Sequence, residues 1–427
     1  MKVLMFGWEF PPHISGGLGT ACFGMTRGLS TIGDVEIIFV VPKAHGNEYA
    51  SNLKLISAAD VPVKDRQELL DHLNESMEYI EVESELIPYL DPDELRKKAE
   101  SAGSINLHKA DSEGRLPFSG KYGVDLFSEI TNYALTADTI ARKHRFDIIH
   151  AHDWLTYPAG MAAKQATGKP LVVHVHATDF DRSGGKVNPR VFEIEQKGME
   201  AADKIITVSN LTRNMVLDKY GISPEKVETV YNAVEPVQQK YTLGCPRATE
   251  EKIVTFLGRI TMQKGPEYFV HAADMVLGKM EKVRFVMAGN GDMMRAMISL
   301  AAELGIANRF HFTGFLKGPE VFDLFQRSDV YVMPSVSEPF GISPLEAMQT
   351  GVPVIISRQS GVSEILTHVI KVDFWDVEAL ADAMYGLLNY PALPSMLVKG
   401  GKREADALTW DDSARHMYRI YRSLMIA

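Results

Sequence analysis

The sequence has few cysteines and no long apolar run. Its 427 residues contain two cysteines, Cys22 and Cys245, which lie far apart along the chain. Neither a disulfide framework nor a cysteine-based metal site is therefore expected. No stretch approaches the ~20 apolar residues that span a bilayer, and the apolar start at residues 1–7 is too short for the core of a signal peptide. We expect a cytoplasmic protein without a transmembrane segment, in which residues 1–7 form the first strand.

Positive charge is also in short supply. The chain has 45 Lys and Arg against 55 Asp and Glu, for a formal charge of −10. Nucleic-acid backbones are held by clustered Lys and Arg, so no nucleic-acid partner is expected. No segment is biased enough in composition to be a disordered tail, and 45% hydrophobic residues can fill sizeable cores. A chain of this length suits two domains of about 200 residues each.

Strand and helix patterns alternate along the chain, and no short internal repeat is present. The alternation predicts two α/β domains with parallel sheets. We place the first at residues 1–237, the second at 238–408, and a terminal helix at 409–427. Residues from about 46 to 122 lose the alternation and are rich in acids, so we interpret them as an insertion. The polar, turn-rich stretch 238–251 has the composition of an interdomain linker.

One segment combines local structure with chemistry. Residues 329–333, DVYVM, and 352–356, VPVII, read as buried strands on either side of a short helix. Ser343 is expected to cap that helix, Pro344 to be its first residue and Gly351 to follow its end. In such a strand-helix-strand unit, ligands usually bind at the carboxyl ends of the strands.

Two acids, Glu338 and Glu346, lie in this loop and helix, and both can face one crevice. The helix N-terminus beside them, with its unpaired N–H groups, suits an anion such as a diphosphate. A second interpretation stays open for Glu346. Ser343 and Glu346 fit a capping box, in which Glu346 only returns a hydrogen bond to the N–H of Ser343.

Other candidates for binding a phosphate are a glycine turn and two cationic side chains. Gly16, Gly17 and Gly19 follow the first strand and let backbone N–H groups approach a phosphate, although a plain tight turn gives the same pattern. The turn is not G-x-G-x-x-G, so the dinucleotide fingerprint is absent. Arg259 and Lys264 follow a strand of the second domain and can neutralise a diphosphate, or be ordinary solvated charges.

Two H-x-H pairs lie on strands, His150 with His152 and His174 with His176. Residues i and i+2 of a strand share a face, so each pair could bind zinc. Nearby acids would complete the site of a metal-dependent hydrolase: Asp153, Asp179 and Asp181. The competing interpretation is that these are packed, hydrogen-bonded core histidines.

Four motifs together resemble one enzyme family. E-P-F-G-I-S-P-L-E (338–346) resembles the E-x7-E signature of retaining GT-B glycosyltransferases, and is most similar to glycosyltransferase family 4 and its glycogen synthase relatives. H-V-H-A-T-D-F-D-R (174–182) resembles a family segment that usually has Glu where Asp179 stands. H-A-H-D-W (150–154) resembles glycogen synthases, and G-R-x4-K (258–264) resembles the family's phosphate-binding pair. The glycine turn departs from the glycogen synthase pattern because it lacks the lysine found there.

The resemblance implies two Rossmann-like domains that face each other across a cleft, with the C-terminal helix crossing back to the N-terminal domain. The first domain would serve the acceptor and the second the donor. The implied reaction moves a hexosyl group, with glucosyl favoured, from a nucleotide-diphosphate sugar to a sugar or glucan hydroxyl. The configuration would be retained, and neither a metal nor another cofactor would be needed. A sugar-nucleotide epimerase, a phosphorylase and a non-catalytic sugar-binding module remain open, as do the base, the sugar, the acceptor and the oligomeric state.

The resemblance also assigns roles to residues. Glu346 would bind the ribose, while the catalytic group would comprise His176, Glu338 and Asp153. The groups that would bind the donor diphosphate are Gly17, Arg259, Lys264, Gly341 and Ile342.

Overall fold

The computed structural model describes residues 1–13, 16–63, 110–123, 126–236 and 250–426. Most of the expected insertion, residues 64–109, lies outside the described residues. So do residues 237–249, which contain most of the expected linker. The chain divides into two compact units, Met1–Tyr231 with Trp410–Ala427 and Asn232–Thr409.

The first unit is built on a seven-stranded parallel sheet in the order β3-β2-β1-β4-β5-β6-β7. Its central strands are short runs of β-branched and aromatic residues buried on both faces, as helix-covered parallel sheets require. The strands are β1 (Lys2–Phe6), β2 (Glu36–Val41), β3 (Lys54–Ser57), β4 (Ile148–His152), β5 (Leu171–Val175), β6 (Lys204–Thr207) and β7 (Val227–Thr229).

The helices of this unit follow the strands in alternation. They are α1 (Gly17–Thr31), α2 (Leu126–Lys143), α3 (Tyr157–Thr167), α4 (Asp179–Ser183), α5 (Pro189–Ala201), α6 (Asn210–Tyr220) and the terminal α13 (Trp410–Ile426). Helix α13 packs on α1, where a Cβ added to Gly24 would lie 2.1 Å from the Trp410 ring. Only glycine permits this approach. The expected return of the C-terminal helix to the N-terminal domain is confirmed.

The second unit has a six-stranded parallel sheet in the order β10-β9-β8-β11-β12-β13. Its strands are β8 (Lys252–Leu257), β9 (Val283–Ala288), β10 (Phe310–Gly314), β11 (Val330–Met333), β12 (Val354–Ser357) and β13 (Ile370–Val372). Its helices are α7 (Pro266–Leu277), α8 (Met294–Glu303), α9 (Pro319–Arg327), α10 (Ser343–Gln349), α11 (Val377–Asn389) and α12 (Ala392–Ala407). The predicted class, two doubly wound α/β domains, is confirmed.

One strand lies where the sequence indicated an insertion. Lys54–Ser57, inside the expected 46–122 segment, is β3 and forms the edge of the first sheet. Because an edge strand is only partly covered, its residues need not be uniformly apolar, and the strand signal is correspondingly weak. Across the described residues, no helix combines the length and the apolar composition needed to cross a bilayer.

Candidate functional site

The loop after β11 is tied down by backbone hydrogen bonds on both sides of Glu338. The Glu338 N–H donates to the Gln359 carbonyl at 2.9 Å, and the Gly361 N–H donates to the Glu338 carbonyl at 2.8 Å. These bonds join the loop to the segment that follows β12. The side chain of Glu338 is therefore presented at the carboxyl edge of the sheet from a fixed backbone, and the residue is only 8% exposed.

Lys264, from the loop after β8, forms an ion pair with Glu338, in which the Lys264 ammonium donates to the Glu338 carboxylate. Lys264 ends a short helical turn after β8, and Gly265 follows it with φ +64°. A Cβ on Gly265 would lie 2.1 Å from the Pro334 carbonyl oxygen, so only glycine lets the two loops approach this closely. Two residues singled out separately in the sequence thus meet at the ends of the adjacent strands β8 and β11.

Gln263 holds the two loops together and was not anticipated from the sequence. Its carbonyl accepts from the Val336 N–H at 2.9 Å, and its side-chain amide donates to the Ser337 carbonyl at 3.1 Å. The residue is buried. A glutamine beside a lysine in a loop carries no distinctive signal, so only the fold reveals this role.

The short helix α10 begins one residue earlier than expected. Ser343 is its first residue and Ile342 its N-cap, so the predictions that Ser343 caps the helix and that Pro344 starts it are wrong. Among the described residues, no side chain caps this helix, and the Ser343 hydroxyl instead lies 2.8 Å from that of Tyr331. The competing capping-box interpretation of Glu346 is therefore wrong as well. At the other end, Gly351 follows the helix with φ +80°, as expected.

Glu346 is half-buried and carries no protein partner on its carboxylate within the described ranges. Burial raises its pKa to about 7, and no neighbouring cation offsets that rise. Gly341, with φ +101°, and Ile342 directly precede α10, the helix that carries Glu346. A carboxylate that burial disfavours and no protein group compensates is suited to hydrogen bonding with a ligand.

Arg259 is the second residue after β8, in a turn fixed to the end of β9. The Gly258 N–H donates to the Ala288 carbonyl at 3.0 Å, and the Ile260 N–H donates to the Asn290 carbonyl at 2.9 Å. Arg259 and Lys264 therefore leave the same strand, and the loop that carries Lys264 is the one that meets Glu338.

In the first unit, the two H-x-H pairs come together as a histidine cluster of His150, His152, His174 and His176. His152 and His174 are direct partners across β4 and β5. The rings of His150 and His152 stack at 4.2 Å between centroids, and those of His174 and His176 at 4.3 Å. His152 Nδ1 lies 3.1 Å from His176 Nε2. Burial lowers the pKa of all four, that of His176 to about 3, so the imidazoles are neutral at pH 7.

Asp153 follows the last residue of β4 with φ +65°, and its carboxylate accepts hydrogen bonds from protein groups. One oxygen accepts from the N–H groups of His176 and Ala177 at 3.1 and 3.3 Å, and the other accepts from Arg182 at 2.6 Å. Burial raises its pKa although Arg182 opposes the shift. Asp153 thus fixes the backbone that carries His176. Its assignment to the catalytic group stays a prediction.

Glu195 is a second buried acid on Arg182, at 3.4 Å, and was missed in the sequence. It accepts from the Asp179 N–H at 3.0 Å and from the Tyr220 hydroxyl, and burial raises its pKa to about 8. A signal for it does exist. In α5, Glu195 lies four residues after buried Val191, on the face that packs into the core.

The remaining acids of the hydrolase hypothesis serve local structure. Asp179 accepts from the Asn188 N–H at 2.6 Å. Asp181 accepts from the N–H and hydroxyl of Thr178 at 2.8 and 2.9 Å, which completes a capping box at α4. Neither carboxylate is directed by these contacts toward the histidine cluster.

At the glycine turn, Gly17 is the first residue of α1 and Gly16 its N-cap. A Cβ on either residue would meet no atom of the described residues within 4 Å. The Gly19 N–H donates to Glu9 Oε1 at 3.3 Å, so an acid that the sequence did not single out already takes one of the three amides.

Two ranges of the chain match models of glycosyltransferase families. Residues 115–238 match Glycosyltransferase Family 4, and residues 245–404 match Glycosyl transferases group 1. The second range contains both glutamates and both candidate cations of the second unit.

Curated relatives and solved structures agree with these matches. An uncharacterized glycosyltransferase of Methanocaldococcus jannaschii is 27% identical over 100% of this chain and 99% of its own length. A glycogen synthase of Mycobacterium tuberculosis is 24% identical over 99% of this chain and 94% of its own length. Sucrose-phosphate synthase from Thermosynechococcus elongatus has a TM-score of 0.72 at 18% identity, covering 100% of this chain and 99% of that one. The Anabaena protein HepE, solved with UDP and glucose, has a TM-score of 0.66 at 14% identity, covering 99% and 100%. Residues 115–238 and 245–404 are thus similar to family 4 and group 1 glycosyltransferase domains, and the fold is GT-B.

Proposed function

We propose that this protein is a retaining, metal-independent glycosyltransferase that moves a hexosyl group, with glucosyl favoured, from a nucleotide-diphosphate sugar to an acceptor hydroxyl. The observation that carries the proposal is the arrangement at the carboxyl edge of the second sheet. There the Lys264–Glu338 pair, in which the glutamate is buried and the lysine half-buried, lies in the same loop system as Glu346, whose carboxylate has no protein partner among the described residues. The whole arrangement falls within the group 1 match.

Glu346 is assigned to the donor ribose. Its ionised carboxylate accepts hydrogen bonds from the two ribose hydroxyls, which supplies the compensation that the protein itself does not provide. Binding therefore favours ionisation, and the carboxyl group releases its proton when the donor is bound near neutral pH.

Arg259 and Lys264 are assigned to the diphosphate, with further hydrogen bonds from the N–H groups of Gly17, Gly341 and Ile342. Negative charge grows on the departing phosphate as the bond to the sugar breaks. Fixed cations are attracted more strongly to that growing charge than to the bound donor, so they lower the barrier. The ion pair with Glu338 holds the Lys264 ammonium in position before the donor arrives, which reduces the reorganisation needed during transfer.

Glu338 and His176 are assigned to the transferred sugar. Glu338 binds hydroxyls near the reacting carbon. His176 stays neutral throughout the working pH range, so it acts as a hydrogen-bond donor and acceptor rather than as a general acid. Asp153 positions the His176 backbone. The acceptor proton goes to the leaving phosphate on the same face of the sugar, which is the retaining route that the family resemblance implies.

The experiment is a transfer assay with a panel of UDP-, ADP- and GDP-hexoses. The acceptors are glycogen and D-inositol 3-phosphate, since glycogen synthases and D-inositol 3-phosphate glycosyltransferases are both among the similar proteins. Nucleotide release is measured together with the anomeric configuration of the product by NMR. The expected result is one productive donor base and a product that keeps the donor's configuration.

A matched pair of variants connects the assay to the site. Glu338→Ala should lower kcat by more than it raises the donor KM, because Glu338 lies beside the reacting sugar. Glu303→Ala removes an exposed glutamate of the same unit and should behave as wild type. An inverted product contradicts retention. An epimerised donor without transfer indicates a sugar-nucleotide epimerase, and donor binding without nucleotide release indicates a sugar-binding module.

A further inference from the structure

The histidine cluster of the first unit contains buried ring nitrogens that no described group satisfies. These are Nε2 of His150, Nε2 of His152 and both nitrogens of His174. Buried polar atoms are nearly always hydrogen-bonded or bound to a ligand, so several unpartnered nitrogens in one place need an explanation. Packing alone does not provide one, because an apolar side chain would fill the same space without this cost.

The three rings are also close enough to share one ion. One ring nitrogen of each of His150, His152 and His174 lies within 4.8 Å of the others. The arrangement follows from the sheet, since His150 and His152 share a face of β4 and His174 pairs directly with His152 on β5. Two adjacent parallel strands thus present three imidazoles on one buried face.

The second nitrogen of two of these rings is already held. His150 Nδ1 is hydrogen-bonded to the Tyr421 hydroxyl of α13, and His152 Nδ1 lies 3.1 Å from His176 Nε2. Both contacts leave Nε2 as the unpartnered atom. Histidines that bind metals usually have their other ring nitrogen engaged in this way, because that contact fixes the ring orientation and the tautomer.

We propose that His150, His152 and His174 bind one divalent transition metal that prefers nitrogen ligands, such as Zn²⁺ or Co²⁺. Three neutral imidazoles in a buried place suit these ions, whereas Mg²⁺ and Ca²⁺ require oxygen ligands. Zinc–nitrogen bonds of about 2.0–2.1 Å in a tetrahedral site place the nitrogens about 3.3 Å apart. The rings therefore turn toward one another on binding, from stacks whose planes now differ by 15° to 27°. The site lies wholly within the first unit and does not depend on the proposed transfer reaction.

A competing group of ligands shares His152. Cys22, His152 and His176 also offer atoms within 4.8 Å of one another. That group is less favourable because His176 Nε2 already contacts His152 Nδ1. The Cys22 thiol would also have to ionise in a buried place beside Glu9 and Asp153, which raise its pKa beyond the effect of burial.

The test measures metal content on the full chain without a histidine tag. The protein is stripped with a chelator, exposed to Zn²⁺ or Co²⁺, freed of excess metal by gel filtration and analysed by mass spectrometry. Wild type should retain about one ion per chain, and Co²⁺ should give the strong visible absorption of a four-coordinate site. The melting temperature should rise by a few degrees with metal, because an ion that binds only the folded state stabilises it.

Variants identify the ligands. His174→Gln should lose the bound ion, while Cys22→Ser should keep it. His311→Gln removes an exposed histidine of the second unit and serves as the matched control. The proposal is overturned if His174→Gln retains the ion, or if Cys22→Ser loses it. If His174→Gln does not fold, the wild-type titration decides alone, since failure to retain stoichiometric metal also overturns the proposal.

Discussion

Two buried carboxylates of the first unit, Asp153 and Glu195, have protein hydrogen-bond partners, whereas Glu346 in the second unit has none on its carboxylate among the described residues. Asp153 and Glu195 share the Arg182 guanidinium and accept several backbone N–H groups. In the second unit, Glu338 has Lys264, and Glu346 has no partner on its carboxylate among the described residues. The number of remaining hydrogen-bonding positions, more than burial itself, separates a carboxylate that holds a fold together from one that can bind a ligand.

The pKa values show why burial alone does not distinguish them. Burial raises the pKa of Glu195 to about 8 and that of Glu346 to about 7. At Glu195, Arg182 and three hydrogen bonds oppose the effect of burial without cancelling it. At Glu346, no protein group among the described residues opposes it, which leaves that role to a ligand.

The largest effect is expected from Arg182→Ala, which removes the cation shared by two buried acids. Arg182 is 2.6 Å from Asp153 and 3.4 Å from Glu195, and its side chain is 6% exposed. Leaving buried charges uncompensated costs about 3–5 kcal/mol of unfolding free energy. Denaturant unfolding measures the change directly.

Arg142→Ala is the control for that prediction. It breaks an ion pair with Asp138 at 2.8 Å in which the arginine side chain is 60% exposed. Exposed pairs of this i,i+4 kind contribute about 0.3–0.5 kcal/mol. If the unfolding free energy of both variants falls by the same small amount, Arg182 does not hold the two acids of the first unit together.

A smaller but still large effect is expected from Lys264→Ala on catalysis. The change removes one of two cations assigned to the leaving diphosphate and leaves Glu338 buried without its partner. Loss of one preorganised electrostatic group of this kind lowers kcat by about 10²–10³. Steady-state kinetics with Lys252→Ala, a half-exposed lysine of the same unit paired with Asp329, separates the site from general charge effects. Comparable kcat values for Lys264→Ala and wild type would remove Lys264 from the mechanism.

Much of the architecture could be predicted from the sequence. The alternating β-branched strands and amphipathic helices predict both parallel sheets, since that periodicity reports burial directly. The two β-branched runs, with Pro344 and Gly351 between them, likewise predict the loop and short helix that carry Glu338 and Glu346. The edge strand Lys54–Ser57 did not stand out, because one side of an edge strand is not covered by the sheet.

The contacts that decide function depend on long-range geometry and could not be read from the sequence. Lys264 reaches Glu338 only because Gly265 allows a close approach to Pro334. Lys264 and Glu338 are 74 positions apart along the chain, and Gly265 and Pro334 are 69 positions apart. Glu195 meets Arg182 through the packing of α5 on the fold. The helix start at Ser343 was misplaced by one residue, since Tyr331 takes the serine hydroxyl that the local sequence assigned to capping.

Glu346→Ala tests the unsaturated carboxylate and should act mainly on binding. Hydrogen bonds to a charged acceptor contribute about 1.5–3 kcal/mol, so the donor KM should rise about 10- to 150-fold with a smaller change in kcat. If the donor KM is unchanged, the ribose assignment is wrong.

The pH dependence of the isosteric variant refines that test. The folded pKa of Glu346 is raised from 4.5 to about 7, so its contribution to stability is fully present below pH 4.5 and is lost as the pH rises through about 7. Glu346→Gln cannot ionise and should lose less stability over that range than wild type, as thermal unfolding can show. Because donor binding favours the ionised form, wild-type KM should fall as pH rises through about 7, and the variant should show a flatter profile. Parallel profiles for the two proteins would contradict this.

The smallest effect is expected from chelation. Arg259 and Lys264 supply the positive charge for the diphosphate, so EDTA should leave kcat/KM within about twofold of its initial value. Any ion bound by the histidine cluster would be removed, which lowers the melting temperature without stopping transfer. His174→Gln, tested in parallel, separates the two regions. Loss of turnover in both proteins, restored by a divalent ion, would place a metal at the diphosphate and replace the lysine and arginine in that role. Loss in wild type alone would instead show that an ion bound by His150, His152 and His174 contributes to transfer.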